Sequence, residues 1–329
     1  MSKQKLSVAI GNYDRTRALI DGSVGIDGVD PVVMTLGPEE IFFRAFRHAE
    51  FDISELSLSS FVLRTARGDC PYVGVPAFVS RAFRHSSIYV RTDRITAPAD
   101  LAGRRVGVPE YQLTANVWAR ALLEDDFGVR PADIHWLRGG IEEPGRVEKV
   151  ALDLPPGVRL DDIPAGSTLA GMLEAGEIDA MIGPRAPSCY RARKANVGRL
   201  FPDSEAAARD YYKRTGIFPI MHLVGARRAL AEAHPWLPAA VLKAFERAKS
   251  VGLAELEDMS TSKVMLPFAA EQLEATQALM GRDFWSYGIA GNETTLSAFL
   301  RHHQAQGLSQ RLMEVDELFH PSCRERYRI

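Results

Sequence analysis

At 329 residues, with 40 Lys and Arg against 42 Asp and Glu, the chain carries a formal charge of -2 and exceeds the size at which one hydrophobic core stops growing. Two domains are therefore expected, and the lack of a basic excess excludes phosphate-backbone binding, so no nucleic-acid partner is expected. A 46% hydrophobic and 25% charged composition is that of a folded globular chain, and no stretch approaches the roughly 18 apolar residues of a membrane span.

The polar start Met1–Lys5 leads into a run of only Leu6–Ile10, too short for a signal-peptide core. Cys70, Cys189 and Cys323 are odd in number and widely spaced, which fits neither a disulfide framework nor a zinc knuckle. Both observations predict a cytoplasmic protein.

Leu6–Ile10 is a predicted strand, ended by the turn residues Gly11-Asn12-Tyr13-Asp14, with a helix from Thr16. Pro38-Glu39-Glu40 opens a helix, because Pro suits a first turn and carboxylates suit the positive helix end. Phe51–Leu56 reads as a strand, and Ser57, Ser59 and Ser60 stand where a helix Phe61–Arg67 needs its N-cap. Tyr72–Pro76, Ser87–Arg91 and Arg105–Val108 are further strands, followed by an amphipathic helix Thr114–Asp126 and a strand Ile134–Leu137. Gly139–Pro164 is predicted irregular, with short strands such as Lys149–Leu152. A helix Thr168–Ala175, stopped by Gly176, precedes the strand Ile178–Ile182. After the extended run Ile217–Val224, helices dominate: Pro238–Leu256, Ala270–Met280 and Thr294–Gln306, the last carrying His302 and His303 as expected surface residues. This order predicts an α/β chain of two lobes joined by a hinge of two crossing strands, with 1–91 and 222–329 in lobe I, 92–221 in lobe II, and the ligand cleft between them.

Two phrases, Ala99-Asp100-Leu101-Ala102-Gly103-Arg104-Arg105-Val106-Gly107-Val108 and Leu173-Glu174-Ala175-Gly176-Glu177-Ile178-Asp179-Ala180, resemble the type II periplasmic-binding-protein fold. Longer runs are more telling: Tyr13-Asp14-Arg15-Thr16-Arg17, Phe83-Arg84-His85-Ser86-Ser87-Ile88-Tyr89-Val90, Gly107-Val108-Pro109-Glu110-Tyr111-Gln112, Ile182-Gly183-Pro184-Arg185 and Gly216-Ile217-Phe218-Pro219-Ile220-Met221-His222. With the Phe284-Trp285-Tyr287-Gly288 region, they are similar to the 4,5-dihydroxyphthalate decarboxylase family over nearly the whole chain. The resemblance implies a cytoplasmic carboxy-lyase of aromatic catabolism, on a binding-protein scaffold, that turns a dihydroxylated aromatic diacid into 3,4-dihydroxybenzoate and CO2. It carries over no catalytic residue, so the candidates come from the chemistry.

Direct loss of CO2 from a benzene ring leaves an in-plane carbanion that the π system cannot delocalise. Ionisation of a hydroxyl para to the carboxylate instead pushes electron density to the ring carbon, which is protonated before CO2 leaves. This requires a cationic clamp, a general acid at carbon and an acceptor at the phenol, but no electron-sink cofactor. Clamp candidates are Arg15, Arg81, Arg84 and Arg185, whose planar forks match carboxylates. Ser57, Ser59 and Thr114 add hydroxyl and N–H donors at helix starts. Acid candidates are His85 and His222; Asp14 and Glu110 are candidates to orient the imidazole or accept the phenol proton, and Tyr111 to stack on the ring. Each has a bland alternative as surface charge, helix cap or core residue.

No HExxH or similar spacing is present, yet a divalent ion held in space by the histidines and acids stays open. The expected partner is a small aromatic dicarboxylate, with a homo-oligomer as the default assembly. Non-catalytic solute-binding proteins share the scaffold but are exported, and related enzymes of thiamine-pyrimidine or menaquinone biosynthesis remain alternatives, the first weakened by the missing clustered cysteines. A regulator is disfavoured, since no DNA-binding helix pair fits before Leu6.

Overall fold

Residues 3–148 and 150–324 are described by the computed structural model; Met1 and Ser2 of the polar start and Lys149 of the expected strand Lys149–Leu152 lie outside them. The described strands are β1 (Gln4–Ile10), β2 (Val29–Thr35), β3 (Ile53–Ser57), β4 (Tyr72–Arg81), β5 (Ile88–Arg91), β6 (Arg105–Val108), β7 (His135–Arg138), β8 (Arg159–Asp162), β9 (Ala180–Ile182), β10 (Val197–Arg199) and β11 (Ile220–Arg227). They form two sheets, in the orders β2-β1-β3-β11-β4 and β10-β5-β9-β6-β7-β8.

The chain divides into two units: Met1–Arg81, Ile220–Leu296 and Glu314–Ile329 form unit 1, while Ala82–Pro219 and Ser297–Met313 form unit 2. Two segments expected in lobe I belong to unit 2. Residues 82–91 do so because β5 pairs with β9 and β10 in the second sheet. Residues 297–313 do so because Phe299 packs on Trp118 and Gln306 accepts from Arg120 Nε at 2.8 Å. His302 and His303 are accordingly buried and not on the surface: His302 Nε2 meets Asp125 at 2.7 Å, and His303 Nδ1 meets Ser309 at 3.1 Å. A helical period identifies a face but does not say what covers it.

In unit 1, β1 runs parallel to β2 and β3, and β11 is antiparallel between β3 and β4. Central strand β3 is buried at every residue, so its apolar positions do not alternate with exposed ones. In unit 2, Leu137, Leu169, Leu173, Ile178 and Met181 form the core. Thr168 caps the helix Leu169–Ala175 by accepting from Gly171 N, and Gly176 ends it at φ 75°, a left-handed conformation in which a Cβ is unfavourable. Among the described residues of 139–164 the one strand is β8, at Arg159–Asp162; residues 150–152 of the expected strand are irregular. Among the described residues, no helix is long and apolar enough to cross a membrane.

Candidate functional site

Parallel strands deliver their following loops to one sheet edge, and in open α/β sheets that edge binds ligands. In unit 1 this edge receives Tyr13, Asp14 and Arg15 after β1, Ser57 at the end of β3, Arg81 at the end of β4, and the start of β11, where His222 lies in register with Ser57. The turn after β1 is built locally: Thr16 Oγ1 accepts from Tyr13 N at 2.9 Å and donates to Gly11 O at 2.7 Å, which starts the helix Asp14–Ile20 two residues before the predicted Thr16.

The centre of the cluster is Glu55, on β3, whose side chain is 0% exposed. Its Oε1 accepts from Tyr13 Oη at 2.9 Å and meets His222 Nδ1 at 2.6 Å, while Oε2 accepts from Gly11 N at 2.8 Å. Burial pushes the Glu55 carboxyl up, but the hydrogen bond and charge of His222, with the Gly11 and Tyr13 donors, outweigh it and hold the group below its ordinary value. Burial first, then the Glu55 charge, raises the Tyr13 phenol, so Tyr13 remains a donor. The His222 ring is 19% exposed and is met edge-on by Phe42 at 4.8 Å. The carboxylate on this imidazole is thus Glu55 and not the expected Asp14, which pairs instead with Arg15 at 2.9 Å and is half exposed. Glu55 escaped sequence reasoning, though one signal was present: in the predicted strand Phe51–Leu56 it shares the alternate positions of Phe51 and Ile53, and an acid on that apolar face needs a buried partner.

Arg15 is held between rings, 4.3 Å from the centroid of Tyr13 and 4.3 Å from that of Trp285, with Nε donating to Val79 O at 2.7 Å. Trp285 is itself fixed by Nε1 donating to Phe78 O at 2.9 Å. Arg81, expected as a clamp, is buried and donates to Ser286 O at 2.7 Å and to Asn292 Oδ1, so its guanidinium secures the 286–292 loop. Ser59 and Ser60 lie buried in the first turn of the helix Leu58–Arg67, which begins three residues before the predicted Phe61, and the Ser57 side chain does not cap that helix.

In unit 2, β9 is antiparallel to β5 and parallel to β6, so Arg84 before β5, Arg185 after β9, and Glu110, Tyr111 and Thr114 after β6 leave the sheet at one edge. Burial lowers the Arg84 guanidinium to about 10, and its Nη1 lies 3.5 Å from Ser87 Oγ. Arg185 is exposed, and Thr114 starts the helix Thr114–Phe127. Glu110 is buried and its Oε1 pairs with Arg146 at 2.6 Å. Tyr111, expected to stack on a ligand, is wholly buried under Arg120, whose guanidinium lies 3.7 Å from its ring centroid. Glu148, which no sequence signal singled out, accepts from Tyr111 N and from Gln112 N at 3.4 Å, and burial raises its carboxyl to about 7.

His85 sits among Phe201, Tyr211 and Phe83, with ring centroids at 5.2, 5.4 and 6.5 Å, and its buried Nδ1 makes no hydrogen bond. Burial lowers this imidazole from 6.5 to about 4, which argues against the acid role expected of it, because a neutral ring has no spare proton to give at neutral pH. The unfolded chain takes up that proton below its ordinary value while the folded chain resists it. Stability from His85 is therefore present above pH 6.5 and is lost as pH falls toward about 4. Melting temperatures across that range are expected to fall less steeply for His85→Phe than for the parent chain; equal slopes would contradict the assignment.

No group of three or more His, Cys, Asp and Glu side chains placed to hold a metal ion occurs among the described residues. No protein-family model matches the chain. The fold is similar to that of the alkanesulfonate-binding protein SsuA from Xanthomonas axonopodis pv. citri bound to MOPS, with a TM-score of 0.53 at 13% identity, covering 97% of this chain and 99% of that one. This likeness shows the type II periplasmic-binding-protein-like fold. A 4,5-dihydroxyphthalate decarboxylase from Comamonas testosteroni is 57% identical over the full length of both chains. One from Pseudomonas putida is 58% identical over 214 residues, 65% of this chain and 83% of that protein. With such identity from end to end, the chain belongs to the 4,5-dihydroxyphthalate decarboxylase family.

Proposed function

We propose that this chain is a carboxy-lyase that converts 4,5-dihydroxyphthalate to 3,4-dihydroxybenzoate and CO2 by protonating the ring carbon. The 57% identity along the whole of a protein of that name carries this reading. The arrangement of unit 1 supplies chemistry to match it. Arg15 keeps Nη2 outside any described hydrogen bond, so it has a donor for a substrate carboxylate. The para hydroxyl gives its proton to water, and His222 Nε2, the ring nitrogen away from Glu55, takes a proton from solvent and, from the imidazolium so formed, gives it to the carboxylated carbon as the phenolate pushes density there. The C–CO2 bond then breaks, its electron pair restores the aromatic ring, and CO2 leaves. Each step uses side chains, substrate and water alone, so the reaction is proposed as cofactor-independent. The buried free thiols of Cys70, Cys189 and Cys323 support a cytoplasmic location.

The test is to incubate metal-stripped protein with the diacid and follow CO2 and the monoacid together; tight binding without either product would refute the reading. Arg15→Ala should raise KM roughly 10- to 100-fold, the size of a lost charge-assisted hydrogen bond of about 1.5–3 kcal/mol. Arg15→Lys should recover only part of this, because an ammonium does not stack or fork as a guanidinium does. An unchanged KM in Arg15→Ala would remove Arg15 from the clamp.

A further inference from the structure

We infer that Glu55 is a positioning residue that keeps a proton on His222 Nδ1, so that Nε2 is the nitrogen that takes up and gives the proton exchanged with substrate. The inference rests on the decarboxylase reading for its consequence but on geometry for its content. An ionised carboxylate only accepts hydrogen bonds. Oε1 takes one from Tyr13 at 2.9 Å and Oε2 one from Gly11 at 2.8 Å, so the 2.6 Å contact at Oε1 requires a proton on His222 Nδ1. The forces that keep Glu55 below its ordinary value favour the ionised state this needs.

Three contacts and complete burial on a central strand leave Glu55 no alternative orientation, and Phe42 bears on the edge of the imidazole it holds. Ring plane, tautomer and a stabilising negative charge therefore all come from one residue. Tyr13 has a different part: its hydroxyl shares Oε1 and so fixes the carboxylate plane from the side opposite β11 in the sheet order. A histidine without this partner is free to adopt the Nε2–H form, in which the outward nitrogen has no lone pair to receive the next proton.

The first measurement does not depend on turnover. In the full chain labelled with 15N-histidine, the His222 signals are those lost in His222→Gln. A protonated Nδ1 with bare Nε2 in the neutral ring is the expected result, and the Nε2–H tautomer would overturn the inference. The second is kinetic: Glu55→Gln keeps the shape but loses the charge, and kcat should fall about 100-fold or more with KM little changed. Glu55→Asp, which keeps the charge at shorter reach, should restore part of the loss. A purely structural role would lower the melting temperature of Glu55→Gln without this split, and a wild-type kcat in that variant would likewise overturn the inference. If Glu55→Gln fails to fold, the tautomer decides. Failure of the parent chain to release CO2 from the diacid, with the Nδ1–H tautomer observed, would instead sink the substrate reading.

Discussion

His222→Gln is expected to lower kcat for CO2 release by roughly 100- to 10,000-fold, the range over which a positioned proton donor accelerates such a step. KM should stay within about threefold, because in the proposed mechanism the imidazole acts in the transition state and Arg15 holds a carboxylate of the bound substrate. Glutamine is the informative replacement. Its amide N–H can still donate to Glu55, so the buried carboxylate keeps a partner in place of Nδ1 at 2.6 Å, and loss of activity is not loss of fold. Steady-state CO2 release paired with calorimetric binding of the diacid checks both numbers. Turnover at the parent rate would exclude His222 as the proton carrier, and equal loss of binding and turnover would make it a substrate ligand.

Gly252→Ala is expected to destabilise the protein by about 1–3 kcal/mol, although alanine is intrinsically the better helix former by about 1 kcal/mol. Gly252 is buried in the helix Leu237–Glu257, and a Cβ there would lie 2.6 Å from the Asp14 carbonyl oxygen, 2.8 Å from its carbon and 3.2 Å from Arg15 N. These are backbone atoms at the start of the helix Asp14–Ile20, so no side chain can turn aside, and the two helices must separate. The residues displaced are those that place Tyr13 on Glu55 and Arg15 between its two rings, so a rise in KM should accompany the loss of stability. Urea unfolding with an unchanged slope and a lowered midpoint, measured beside KM, tests both effects. A variant more stable than the parent would show that propensity outweighs the close approach.

Most of the secondary structure was legible because its signals are local. The strand Arg105–Val108 and the start of the helix Thr114–Phe127 were predicted to the residue, and Thr168 and Gly176 bracket their helix as capping requires. Strand β2 and the helix Ser204–Thr215 were not predicted, because Val29–Thr35 contains Asp30 and Pro31 while Ser204–Thr215 carries no aliphatic side chain larger than alanine to mark a helical stripe. The family was legible too, because many short phrases spread along the chain constrain it together, and the kinship over the full length bears this out.

The sequence by itself determined the α/β class, the family and the residue types the chemistry draws on. Only tertiary structure decided which of them cooperate. Glu55 and His222 are 167 residues apart, and their contact exists because β11 lies antiparallel beside β3; no period of two or 3.6 residues reports such a neighbour. The same limit left His85 and His222 indistinguishable as letters, although one ring is buried among aromatic side chains and the other is gripped by a carboxylate. A side chain's chemistry is set by its solvation and its partners, and both are properties of the folded chain.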